Sequence, residues 1–223
     1  MLQTLTDGVH VQVATQRFYG LEVGARMTVL QLEGGVLVVS PLDVPPDSVA
    51  HLGPLRWVLA PNLLHHLYVG PWIDAGAEGW AAPGLPAKRP DLTFHGVVEP
   101  GVQPFGPEVE LIPLRCFPFA SEVVLLHRPS RTLVVTDLVF NFDPTAPWLT
   151  RAAMRCACGY PGCRTTLLER ALMHRDIARE EVQGLLALDF DRLVLAHGEV
   201  IETGGRAALA GAFDWLGLTG AQT

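Results

Sequence analysis

Three apolar runs of this chain each stop at a polar residue able to hold a metal, and that coincidence limits the fold more than any other feature. In Leu55–His66, LRWVLAPNLLHH, the run Arg56–Ala60 has Gly53-Pro54 before it and Pro61 after it, and Asn62, His65 and His66 follow. Proline lacks the donor that a central ladder needs, so the run reads as a buried strand ending at Ala60. Thr132–Thr136 (TLVVT) stops in the same way at Asp137, and Asp191–Ala196 (DRLVLA) stops at His197-Gly198. Strand ends are where α/β folds keep their sites. Imidazole nitrogen and carboxylate oxygen converging from separate strand ends suit Zn²⁺, Fe²⁺ or Mn²⁺. The His65-His66 pair alone is weak evidence for a metal, since it also fits a helix start with one ring packed and one solvated.

The rest of the chain predicts β structure first and helices later. Val9–Thr15 alternates as a strand, and Met27–Leu32 with Val36–Ser40 forms a hairpin turned at Glu33-Gly34-Gly35. Asp47 is placed to cap a short helix toward His51. Leu67–Gly79 is aromatic and glycine-rich and Trp80–Pro90 is proline-rich, so this stretch predicts a long irregular loop with Lys88, Arg89, Trp72 and Trp80 on it. Leu92–Val98 and Val109–Leu114 predict further strands. Trp148–Arg155, Thr165–His174 and Ile177–Leu188 have the apolar spacing of helices, and Gly204-Gly205 opens a last one toward Trp215.

Glu122–His127 and Thr132–Thr136 flank Arg128-Pro129-Ser130-Arg131, a compact turn sequence, and so predict an antiparallel hairpin. With His127 opposite Thr132, Asp137 lies across from Glu122. Two facing carboxylates repel unless a cation or a shared proton lies between them, which makes Glu122 and Asp137 candidates for the site. His127 sits at the turn end, about 16 Å from Asp137 at about 3.3 Å per residue, too far to share a ligand sphere. His10, His51, His95 and His174 read as structural.

A length of 223 residues, with 49 % apolar and 17 % charged side chains, fits one α/β domain spanning residues 1–223. Sixteen basic against 23 acidic side chains leave a net charge of −7, which disfavours a nucleic-acid duplex or an anionic membrane as the main partner; the expected partner is a small-molecule substrate. No apolar stretch approaches the roughly 18 residues that span a bilayer, and the start lacks a charged and then apolar leader, so the expected location is the cytoplasm. Cys116, Cys156, Cys158 and Cys163 are too few for a secreted disulfide framework. Three of them fall within eight residues, but their spacing matches no common zinc knuckle, and they read as small thiols.

The order of elements, the run Thr132–Asp137 (TLVVTD) and the late Leu195-Ala196-His197-Gly198 resemble the metallo-β-lactamase superfamily. RMTVLQLEGG (Arg26–Gly35), APNLLHH (Ala60–His66), PGLPAKRPDL (Pro83–Leu92), HRPSRTLVVTDLVFN (His127–Asn141) and LAHGEVI (Leu195–Ile201) resemble an uncharacterised branch of it, over nearly the whole chain. The resemblance implies an α/β fold, an αββα sandwich of two mixed, mostly antiparallel sheets between helices. It implies departures as well. Aligned at Ala60, the leading histidines of the superfamily's His-x-His-x-Asp-His motif fall on Pro61 and Leu63, its aspartate on His65 and its last histidine on His66. The histidine of the later Gly-His-Thr motif falls near Cys116–Ala120, where there is none. The first metal site is thus dismantled, and the second maps to His66, Asp137 and His197, with His65 as a further ligand. The expected function is a metal-dependent hydrolase with one divalent metal, zinc first and iron or manganese as alternatives. Its catalytic candidates are Asp137, with Glu122 or His65 as proton acceptor. The competing reading is a non-catalytic metal- or ligand-binding protein on the same scaffold.

Overall fold

The computed structural model describes residues 1–218. The N-terminal half supplies β1 (Gln3–Thr6), β2 (Val9–Ala14), β3 (Arg17–Phe18), β4 (Leu21–Glu22), β5 (Ala25–Leu32), β6 (Gly35–Val39), β7 (Leu55–Ala60), α1 (Val69–Asp74), β8 (Glu78–Ala81), α2 (Leu85–Lys88) and β9 (Gly96–Val97). A hairpin of β3 and β4 stands apart, and the other strands form one sheet in the order β1-β2-β5-β6-β7-β8-β9. After it come β10 (Val109–Pro113), β11 (Val123–His127), β12 (Thr132–Val134), β13 (Phe140–Phe142), α3 (Trp148–Cys156), β14 (Gly162–Arg164), α4 (Leu167–Leu172), α5 (Arg175–Leu186), β15 (Arg192–Val194) and α6 (Gly205–Ala212). The second sheet has the order β10-β11-β12-β15.

Strand periodicity builds the layers. Side chains alternate between the faces of a strand, and the central strands are apolar on both. Leu37 and Val39 of β6, Trp57 and Leu59 of β7, Val123 and Leu125 of β11 and Val134 of β12 meet in a core between the sheets. The opposite faces bury Val36, Val38, Val58 and Ala60 under Val69 and Trp72 of α1 and Leu85 of α2. On the other side, Val124, Leu126 and Leu133 pack under Ala178, Val182 and Leu185 of α5 and Leu209 and Ala212 of α6. The result is the expected αββα sandwich. No helix among the described residues is long and apolar enough to cross a membrane.

The hairpin of β11 and β12 has the expected register, with His127 opposite Thr132 and Leu126 opposite Leu133. Residues 67–90 differ from the expected irregular loop. They hold α1, β8 and α2, and β8 runs parallel to β7, with Leu59 paired to Trp80 and Ala60 to Ala81. Trp72 is fully buried as a core residue. Leu92–Val98 contributes only the two residues of β9. Asp47 lies inside the first turn of a 3₁₀ helix, Pro46–Leu52, that has no side-chain cap, because Pro46 already fits the first helical position.

Two sets of contacts fasten the sheets together at one edge. The backbone after β7 bonds to the loop before β11 and to the strand's first residue, Leu63 N to Ala120 O at 2.8 Å and Val123 N to Pro61 O at 2.8 Å. Arg26 of β5 reaches beyond β15, donating to the carbonyl oxygens of Leu195 and, at 2.6 Å, of Gly198. These contacts bring the ends of β7, β12 and β15 to one place.

Candidate metal centre

Each of those three strand ends delivers one donor. His65 Nε2 lies 3.2 Å from His197 Nε2 and 3.4 Å from Asp137 Oδ2, and His197 Nε2 lies 3.3 Å from Asp137 Oδ1. Among the described residues this is the one group of three or more histidine, cysteine or acidic side chains whose ligand atoms lie within 4.8 Å of one another. A tetrahedral site with metal–ligand bonds of about 2.0–2.1 Å has ligand–ligand edges of about 3.3–3.4 Å. The Nε2–Nε2 separation and each ring's distance to its nearer Asp137 oxygen, Oδ2 for His65 and Oδ1 for His197, are close to that edge length, and the chemistry of the donors fits a divalent transition metal.

The ring orientations agree. His197 Nδ1 lies 2.7 Å from the carbonyl oxygen of Gly24, which can only accept, so Nδ1 carries the hydrogen and the neutral ring presents a lone pair at Nε2. His65 Nδ1 is held by Ser40 Oγ at 2.7 Å. Ser40 has φ +54°, in the left-handed region that disfavours a side chain, and this turn at the end of β6 aims its hydroxyl at His65. Phe140 stacks on the His197 ring at 5.7 Å between centroids. Gly198 follows His197 with φ +86°, and a Cβ there would lie 2.0 Å from the Asn141 carbonyl oxygen. Only glycine fits behind His197.

Asp137 is fixed at both its side chain and its backbone. Asn62 Nδ2 donates to Asp137 Oδ2 at 2.7 Å, and the backbone N–H of Asp137 donates to Glu122 Oε2 at 2.8 Å. Burial opposes ionisation of Asp137, but the facing His65 and His197 rings hold it well below the ordinary carboxylate range. Burial likewise opposes charge on His197, and the hydrogen bond and charge of Asp137 outweigh it, so its pKa is raised.

Other candidates sit elsewhere. His66 turns away from the cluster to accept from Arg89 Nη1 at 3.1 Å through Nδ1. Burial first, and then the charges of Lys88 and Arg89, hold its pKa down. The adjacent pair thus divides its work, with His65 facing the metal-competent cluster and His66 facing α2. Lys88 Nζ donates to Leu63 O at 2.6 Å, so Lys88 and Arg89 fasten the histidine loop. Glu122 is fully buried, and its carboxylate accepts from the backbone N–H groups of Thr136 at 2.7 Å and Asp137. Amide hydrogens occupy it in place of a cation shared with Asp137, and burial with the nearby Asp137 charge pushes it up to about 7. His127 shares a hydrogen bond with Ser130 Oγ at 2.7 Å at the turn end. Cys156 and Cys158 are exposed, Cys163 is half-buried, and burial pushes the Cys163 thiol up to about 12. Ser40, Gly24 and Arg26 support the centre without being marked as site residues by the sequence. The serine's place just before Pro41, at the end of a strand, is the one sequence signal that points to any of them.

Comparisons with known proteins agree with this geometry at the level of the fold. No protein-family model matches the chain, and no curated protein matches it. Solved structures do. The DIM-1 metallo-β-lactamase superposes with a TM-score of 0.71 at 12 % identity, over 99 % of this chain and 98 % of that one. A metallo-β-lactamase from Erythrobacter litoralis gives 0.70 at 11 % identity, over 97 % and 95 %. FIM-1 from Pseudomonas aeruginosa, solved in a mono-zinc form, gives 0.66 at 11 % identity, over 96 % and 95 %. The chain has the metallo-β-lactamase fold.

Proposed function

We propose that this chain, built on the metallo-β-lactamase fold, belongs to that superfamily as a hydrolase using one divalent metal, zinc first, held by His65, Asp137 and His197. The observation that carries the reading is the convergence of His65 Nε2, His197 Nε2 and the Asp137 carboxylate at separations of 3.2, 3.3 and 3.4 Å, each residue lying beyond a different strand end. When bound there, a divalent cation supplies Lewis acidity toward a water and toward an ester, amide or phosphoester group. The chain's own residues do the rest. Gly24 and Ser40 fix the two rings so that Nε2 faces inward, Asn62 holds the carboxylate and Glu122 the Asp137 backbone, and three such protein donors would leave room at a tetrahedral metal for water or substrate. Glu122 supports Asp137 and is not the proton acceptor of this reading, since both its oxygens are engaged by amides.

One observation favours the second reading, a binding protein without catalysis. The His65, Asp137 and His197 side chains are only 11, 10 and 10 % exposed, which leaves a narrow approach for substrate. A panel of esters, thioesters, lactones, amides and phosphoesters, assayed with Zn²⁺, Mn²⁺ and Fe²⁺, separates the two. The hydrolase reading expects turnover that disappears with a chelator and returns with metal. Tight metal binding with no turnover across the panel would favour the binding protein.

A further inference from the structure

Asn62 is fully buried, and all four of its side-chain hydrogen-bonding positions are used. Its Oδ1 accepts from the backbone N–H of Leu64 at 2.8 Å and of His65 at 2.7 Å. Its Nδ2 donates to Thr136 Oγ1 at 2.9 Å and to Asp137 Oδ2 at 2.7 Å. The amide orientation follows from its partners, because a flipped group would set N–H against N–H on one side and oxygen against carboxylate on the other. A residue that only capped the turn after Pro61 would use the oxygen alone. The amide nitrogen spans 75 positions of sequence to the second ligand-bearing strand end.

The bridge has a chemical effect on each side. Through Oδ1 it closes the turn that carries His65 toward the cluster, while His66 faces Arg89. Through Nδ2 it holds Asp137 Oδ2, the oxygen that lies 3.4 Å from His65 Nε2, while Oδ1 faces His197 Nε2 at 3.3 Å. A buried carboxylate with one oxygen held by a neutral donor keeps its charge and loses rotational freedom, the usual work of the groups behind a metal ligand.

We infer that Asn62 is a positioning residue for the metal, setting the separation of His65 and Asp137 through one side chain. The inference rests on the metal-binding reading above and adds a residue that touches no metal.

The test is Zn²⁺ affinity, read by competition with a chromophoric chelator, on the folded full-length chain. Asn62→Ser and Asn62→Asp both keep an oxygen able to cap the Leu64 and His65 amides and both lose the two-donor amide that joins Thr136 and Asp137, the serine by shortening the side chain and the aspartate by setting a carboxylate against Asp137. Each is expected to weaken Zn²⁺ binding by about 10–100-fold while circular dichroism shows the native fold. Thr136→Val removes the other acceptor of Nδ2 and is expected to leave affinity within about threefold, since the link to Asp137 remains. In the wild type, the Asn62 side-chain amide protons are expected to be protected from exchange and to shift when Zn²⁺ is added, a readout that does not depend on either variant folding. Wild-type affinity in a folded Asn62 variant, or an amide signal indifferent to Zn²⁺, overturns the inference and leaves the metal site standing. A wild-type chain that binds no Zn²⁺ overturns both.

Discussion

At the scale of single residues, the structure distinguishes neighbours that sequence treats alike. His65→Ala, Asp137→Asn and His197→Ala are each expected to weaken Zn²⁺ binding by more than about 100-fold, beyond the effect of supporting groups. His66→Ala and His127→Ala are expected to leave affinity within about threefold, since both rings are held elsewhere. Titration calorimetry on the five variants reads the contrast, and loss of binding in His66→Ala with retention in His65→Ala would reverse the assignment. Protons compete at the same atoms. In the metal-free protein His197 is raised and Glu122 is raised to about 7, so each contributes stability that is full below its unfolded pKa and is lost as pH rises through the folded one. The depressed His66 and His127 act in the other direction, and their contributions level off about one unit above the ordinary imidazole value, by about pH 7.5. The Tm of metal-free protein should therefore fall as pH rises above about 7.5, while the rise in Tm on adding Zn²⁺ grows over the same range, because binding displaces a proton from His197. Calorimetric scans at several pH values check both trends, and a metal-free Tm that rises with pH contradicts them.

At the scale of elements, close approach behind His197 is the sharpest constraint. Gly198→Ala would set a methyl 2.0 Å from the Asn141 carbonyl oxygen at φ +86°, so it is expected to cost at least about 2 kcal/mol and to weaken metal binding by moving His197. Urea unfolding measures the first and chelator competition the second, and a neutral substitution would show that this loop yields freely. Elements with strong periodicity were legible in the sequence, among them the β5 and β6 hairpin, the register of β11 on β12, and α3 and α5. The stretch 67–90 was not. Its helices are 6 and 4 residues long and its strand β8, EGWA, has 4, too short to carry a period, and proline and glycine mask them. They form because β7 needs a parallel neighbour and because Trp72 covers the sheet, both matters of tertiary packing. The site was partly legible for the same reason. Strand ends pointed to Asp137 and His197, whereas the choice of His65 over His66 depends on the turn closed by Asn62, which adjacent identical residues cannot reveal.

At the scale of the whole molecule, the sandwich gathers His65, Asp137 and His197 into one cluster by joining two sheets at an edge. Arg26 ties β5 to the residues around His197, and backbone bonds tie the turn after β7 to the approach to β11, so donors from three strand ends share one rigid frame. The expected stoichiometry is one metal per chain, since Pro61 and Leu63 stand where the resemblance places the leading histidines of the first site. Crystals grown with Zn²⁺ and measured at the zinc edge test this most directly. One anomalous peak per chain is expected, about 2.0–2.2 Å from His65 Nε2, His197 Nε2 and an Asp137 oxygen. A peak on Cys156, Cys158 or Cys163, a peak ligated by His66, or no peak at saturating Zn²⁺ would contradict it.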